Sequence, residues 1–256
     1  MKIGASTLYG VNKEAGESVR ELLDNGINVI ELMYEGRHKI DGEQAEGLAG
    51  LGADYSLHLP FCGIMLANPD PKMRFDQKIM IGYALNAAEE LGAAQCVLHG
   101  GEIPEFYMQI EKPMKKEEFY RIFANEMGDL VSKASISGIK VVLENLPSSQ
   151  LGSNYVDIIE IKKLMPQLGF CLDAPHALMN DDLELYSMGF MEIDHVHVSD
   201  SYQGKDAHLA IGKGHLPIKD IMNDLKKKGY KGKVIFEGLS LEDTLESVKK
   251  LREMIK

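Results

Sequence analysis

The sequence predicts an α/β protein, a closed (β/α)8 TIM barrel formed by residues 1–256 as a single domain. Three observations carry this. Eight short apolar runs rich in β-branched residues alternate with longer segments of helical period. No linker, low-complexity stretch or shift in composition divides the chain. Its 256 residues match the ~250 that one such barrel typically needs. Alternating strands and helices imply parallel strands joined by crossovers, and eight uninterrupted units fit a closed barrel better than an open doubly wound sheet.

The first four strands are read at KIGAS from Lys2, NVIELM from Asn28, DYSLHL from Asp54 and QCVLHG from Gln95. The last four are KVVLEN from Lys140, GFCLDA from Gly169, HVHVSD from His195 and KVIFEG from Lys233. Between them, Ile81, Ala84, Leu85, Ala88 and Leu91 form one helical stripe that Gly92 ends. Phe119, Ile122, Phe123, Met127 and Leu130 form another. Pro217 marks a helix start ahead of Ile218, Ile221, Met222 and Leu225, and Leu241, Leu245, Val248 and Leu251 line the last helix. Residues 101–116 read as a long loop on the active face, and the segment after His197 as a Gly-rich loop.

No apolar run approaches the ~18–20 residues that cross a membrane, and the N-terminus leads into a strand. Cys62, Cys96 and Cys171 stand apart without CxxC spacing, which argues for a reduced, cytoplasmic protein and against a thiolate zinc site. The net charge of −11 disfavours nonspecific attraction to nucleic acid or anionic membrane, unless bound cations reverse the sign locally.

In a barrel the chemistry sits at the C-terminal ends of the strands. Those ends and the loops after them carry nine metal-capable side chains: His58, His99, Glu144, Asp173, His176, His197, Asp206, His208 and Glu237. So many imidazoles and carboxylates without Lys or Arg beside them are costly unless cations compensate. Mixed His and carboxylate ligands suit Zn2+, Mn2+, Co2+ or Fe2+. Nine ligands exceed the needs of one ion, so two or three are expected, with Glu144 bridging. His195 shares a strand face with His197 one layer deeper and is expected in the core.

The motifs HLPF at His58, LHGG at His99, LENLP at Glu144, CLDAPHA at Asp173 and His176, HVSDS at His197, KDAHLAIGKGH at Asp206 and His208, and FEG at Glu237 resemble the endonuclease IV family of zinc-dependent apurinic/apyrimidinic endonucleases, within the xylose-isomerase-like barrel superfamily. The resemblance covers nearly the whole chain. It implies one zinc on His58, His99 and Glu144, a second on Glu144, Asp173, His197 and Glu237, and a third on His176, Asp206 and His208. A metal-bound hydroxide would then cleave DNA 5′ to an abasic site, with Glu144, Asp173 and Glu237 holding and positioning the catalytic metals. Arg37 and Phe61 are the candidate contacts to DNA or another substrate. The chain departs from the family pattern in its first strand, with Ser6 where a histidine is common, and after the third, with Phe61 and Cys62 where a tyrosine and a bulky aliphatic residue are usual.

Two alternatives stand beside this reading. A sugar isomerase or epimerase of the same superfamily would use a single Mn2+ or Co2+ on Glu144, Asp173, His197 and Glu237, with Glu144 and Glu237 as the acid/base pair helped by His176. A phosphatase for a small sugar phosphate, or a binding protein without catalysis, is the other. The protein is expected to be a monomer, with His38 exposed and His215 or the glycines Gly212 and Gly214 close to the ligand or merely shaping a turn.

Overall fold

The computed structural model describes residues 1–147, 149–187 and 192–256. In chain order these form β1 (Lys2–Ser6), α1 (Ala15–Asp24), β2 (Val29–Met33), α2 (Gly42–Ala49), β3 (Asp54–His58), α3 (Pro71–Leu91), β4 (Gln95–Leu98), α4 (Phe106–Gln109), α5 (Lys116–Ile136) and β5 (Lys140–Glu144). They continue with α6 (Tyr155–Leu164), β6 (Gly169–Asp173), α7 (Ala174–Met179), α8 (Leu183–Ser187), β7 (His195–Val198), β8 (Asp200–Tyr202), β9 (Lys205–Leu209), α9 (Ile218–Lys227), β10 (Lys233–Phe236) and α10 (Leu241–Met254). Each of the eight predicted runs is a barrel strand. They close in the order β1-β10-β7-β6-β5-β4-β3-β2, every neighbouring pair parallel. Strands covered by helices on one side and by the barrel interior on the other are buried on both faces, which explains why β2 is apolar almost throughout and buried at every position.

The helices form where caps and stripes placed them. The Asp70 carboxylate accepts from Lys72 N ahead of Pro71, and Gly92 ends α3 in the left-handed region at φ 71°. Ile81, Ala84, Leu85, Ala88 and Leu91 are buried against the barrel, as are Phe119, Phe123 and Met127 of α5. Inside the barrel, Val97, Val142 and Cys171 pack as a separate small cluster. Side chains alternate along a strand, so His99, Glu144 and Asp173 stand one step above these three, at the open mouth.

Two segments differ from expectation. The Gly-rich stretch after His197 contains an antiparallel hairpin, β8 with β9, turning at Gln203–Gly204 with Gly204 at φ 78°. Residues 101–116 hold the short helix α4 and two isolated bridges, Gly101 to Met65 and Glu102 to Gln150, that tie the rim together. No helix among the described residues is long and apolar enough to cross a membrane.

Candidate metal centre

The CLDAPHA motif shows how the chain builds the site locally. Asp173 ends β6 and caps α7, its Oδ1 accepting from His176 N at 2.6 Å with Pro175 in the first turn. That turn presents His176 beside its own cap. Asn145, directly after Glu144, clamps the same strand end: its side chain donates to Asp173 O and accepts from Asp173 N, both at 2.8 Å. The Asn145 carbonyl in turn lies 2.9 Å from His176 Nδ1.

All nine predicted side chains come together in one connected cluster. Glu144 Oε2 lies 3.3 Å from His58 Nε2, 3.2 Å from His99 Nε2 and 3.3 Å from His197 Nδ1, while Oε1 lies 3.3 Å from His176 Nδ1. His197 Nδ1 also faces Glu237 Oε1 at 3.6 Å and Asp173 Oδ2 at 4.0 Å. Asp206 Oδ2 joins His176 Nε2 at 3.3 Å to His208 Nε2 at 3.0 Å. His208 holds a positive φ of 45°, uncommon for a residue with a side chain and a form of local strain found at functional sites.

Above this cluster is a cavity of about 250 Å3 lined by His58, His99, Glu144, His176, His208 and Glu237 among others, with Phe61, Leu8, Met33 and Ile64 as its apolar wall. Among the described residues no Lys or Arg lines it. Phe61 is therefore at the site, its ring 5.1 Å from that of His58. Arg37 is not: it pairs with Glu14 on the outer surface, away from the cavity lining. His38, expected exposed, is fully buried between Thr7 Oγ1 at 3.1 Å and Ser18 Oγ at 3.3 Å. His215 packs edge-on against Tyr202 outside the cavity lining, and Gly212 N donates to Asp200 Oδ2, so this loop is organised around the Asp200 carboxylate. His195 is in the core as expected, 2.9 Å from Glu31, a buried carboxylate of β2 that a reading confined to strand ends passes over.

The charges in the cluster suit a cation. Burial raises the Asp173 carboxyl, and the neighbouring Glu144, Asp206 and Glu237 raise it further, to about 7 against the pull of His176. Burial also works against the Glu144 carboxylate, yet His99, His197 and His176 hold it well below the usual range. Among the described residues, His197 Nδ1 and Glu237 Oε1 are buried without a hydrogen-bond partner. A cation between them would answer both atoms, each of which otherwise costs about 1–3 kcal/mol. Atoms bound about 2.0–2.2 Å from one ion stand about 3 Å apart; around His197 Nδ1, Glu144 at 3.3 Å and Glu237 at 3.6 Å come near that spacing, and Asp173 stands wider at 4.0 Å. Among the described residues, overlapping trios can hold a metal ion, including His58 with His99 and Glu144, His58 with His197 and Glu237, and Glu144 with Asp173 and His176, so the donor set fits divalent-ion binding.

Comparison with known proteins places this geometry. Residues 19–255 match the family model described as a xylose isomerase-like TIM barrel. The chain belongs to that family. This member is 27% identical to an uncharacterized protein of Methanocaldococcus jannaschii over 100% of its own length and 89% of that protein. A fructoselysine 3-epimerase of Escherichia coli O157:H7 is 24% identical over 64% of the chain and 59% of that protein. A protein of Symbiobacterium thermophilum named "Probable endonuclease 4" is 26% identical over 80% of each. Among solved structures, a D-tagatose 3-epimerase-like protein superposes with a TM-score of 0.90 at 26% identity, covering 100% of this chain and 97% of that one. An L-ribulose 3-epimerase shares the fold with a TM-score of 0.75 at 20% identity, over 98% of this chain and 86% of that one.

These likenesses overturn the abasic-site nuclease expected from the motifs. The structure that superposes best of those named here, over the whole chain, is epimerase-like, whereas the endonuclease likeness covers four-fifths of it. The physical reason is that nucleic-acid binding needs cationic contacts to phosphate. Among the described residues the cavity has no Lys or Arg, and Arg37 is turned to Glu14.

Proposed function

We propose that this protein is a metal-dependent epimerase or isomerase of a small, neutral keto sugar. One observation carries the reading: Glu144 and Glu237, from different walls of the barrel, flank the same ring nitrogen of His197, unpartnered among the described residues, and both line the cavity. Glu144, Asp173, His197 and Glu237 would hold one Mn2+, Co2+ or Zn2+, which when bound polarises the sugar carbonyl and steadies the charge that develops on it. One carboxylate of the Glu144/Glu237 pair takes the proton from the carbon beside the carbonyl, leaving an enediolate. The other returns a proton to the opposite face, which inverts the carbon and restores the enzyme's proton count. His176 and His208, joined through Asp206, sit where they can hold the sugar's hydroxyls, and Phe61 supplies an apolar face for its carbons. A cavity that no Lys or Arg lines among the described residues supports a substrate lacking phosphate. The epimerase names of the relatives support epimerisation as the reaction.

The test is proton exchange. Protein stripped with chelator and reloaded with Mn2+ or Co2+ is incubated with ketopentoses and ketohexoses in deuterated water, and the products are read by NMR. Deuterium should enter at the carbon beside the carbonyl, only with metal, and not in Glu237→Gln. Folded, metal-loaded protein that exchanges no such proton in any ketose would refute the proposal.

A further inference from the structure

Beneath the proposed metal ligands lies a second polar layer that the sugar chemistry leaves unused. Glu31 reaches from β2 across the barrel interior to β7, two strands that are not neighbours, since β1 and β10 stand between them. Its Oε1 is 2.8 Å from His197 Nε2 and its Oε2 is 2.9 Å from His195 Nε2, with all three side chains completely shielded from solvent. The ring N–H groups lie off the line to the oxygens, so these are close charge contacts and not yet aligned hydrogen bonds. A carboxylate in this position has an energetic cost that a leucine or methionine would not. The two rings offset it.

The layer also assigns the two nitrogens of His197. Nδ1 faces Glu144, Glu237 and Asp173, and Nε2 faces Glu31 alone among these carboxylates. Behind Glu31, His195 Nδ1 lies 3.2 Å from Gln95 Oε1, and Gln95 Nε2 donates to the Asp194 carbonyl at 3.0 Å. A single file of Asp194, Gln95, His195, Glu31 and His197 therefore runs from the closed side of the barrel to the metal-facing nitrogen.

We infer that Glu31 is a positioning residue for the metal centre, holding His197 with its proton on Nε2 and its Nδ1 lone pair toward the ion, with His195 as the support that fixes Glu31. This rests on the single-ion reading given above. Glu31 does not line the cavity and so touches neither sugar nor reacting atoms. A carboxylate on the far nitrogen of a ligating histidine fixes the tautomer and strengthens the ligand, and losing such a partner typically weakens metal binding about 10–100-fold.

The experiment titrates Mn2+ alone into chelator-stripped, full-length protein by calorimetry, comparing wild type with Glu31→Gln and Glu144→Gln. Glu31→Gln should bind Mn2+ about 10–100-fold more weakly. A role in packing alone would lower the melting temperature in chelator and leave the affinity of the folded variant unchanged, and that result overturns the inference. Wild-type affinity in Glu144→Gln overturns the single-ion reading itself, which separates the two failures. Should Glu31→Gln not fold, the Zn2+-loaded wild type labelled with 15N at histidine decides: His197 must show the Nε2–H tautomer with metal on Nδ1, and the reverse assignment refutes the inference.

Discussion

Raising the pH of the metal-free protein should destabilise it, and His208 carries a calculable part of the loss. Its side chain is 21% exposed, with Nε2 3.0 Å from Asp206 Oδ2. Burial lowers its pKa, but Asp206, Glu237 and Asp173 outweigh burial and raise it to about 9. An unfolded histidine titrates near about 6.5. The folded protein therefore keeps a proton that the unfolded chain releases in this window. The stabilisation is fully present below about pH 6.5 and disappears as the pH passes about 9. At about 1.36 kcal/mol per pH unit this amounts to at most about 3 kcal/mol, or roughly 6–12 °C in melting temperature for a chain of this size. Scanning calorimetry in chelator at pH 6.5 and 9, on wild type and His208→Gln, measures it. Wild type should lose more stability than the variant over this interval. Parallel losses in the two proteins would refute the assignment. Manganese affinity should change in the opposite sense, rising with pH, because binding requires His197 and Asp173 to give up protons that the metal-free cluster holds.

Two further substitutions separate packing from site geometry. Phe123→Ala empties a fully buried position of α5 and should cost about 3–5 kcal/mol in denaturant unfolding, with the metal affinity of the folded variant unchanged. Asn145→Ala removes both hydrogen bonds that clamp Asp173 and should cost at least about 2 kcal/mol while also weakening Mn2+ binding in calorimetry. Stability lost without any change in affinity would mean that the clamp does not place Asp173 for the ion.

Several features were open to a reader of the sequence because they depend on neighbours along the chain. The eight strands were legible because each is a short β-branched run bounded by turn residues, and the helices because their stripes and caps are local. The nine clustered side chains were legible because a barrel brings all strand ends to one face. The hairpin of β8 and β9 was not, since its polar strands are held by contacts to the Asp200 carboxylate that no periodicity announces. His38 looked exposed between Arg37 and Lys39, yet Thr7 and Ser18, distant in sequence, receive its ring. The departures at Ser6, Phe61 and Cys62 were visible in the sequence and were the available signal against a DNA-binding surface.

The sequence by itself determined the barrel and the set of groups at its mouth, because strand period and strand-end position are properties of the chain's own repeat. Only the tertiary structure decided what that set surrounds. Closure places Glu144 and Glu237 about one nitrogen of His197 and brings Glu31 to the other, across strands that are far apart in the chain. It also leaves Arg37 outside and, among the described residues, the cavity without Lys or Arg. Which side of a ring faces which carboxylate is a question of distance in space, and a sequence carries no distances until the barrel has closed.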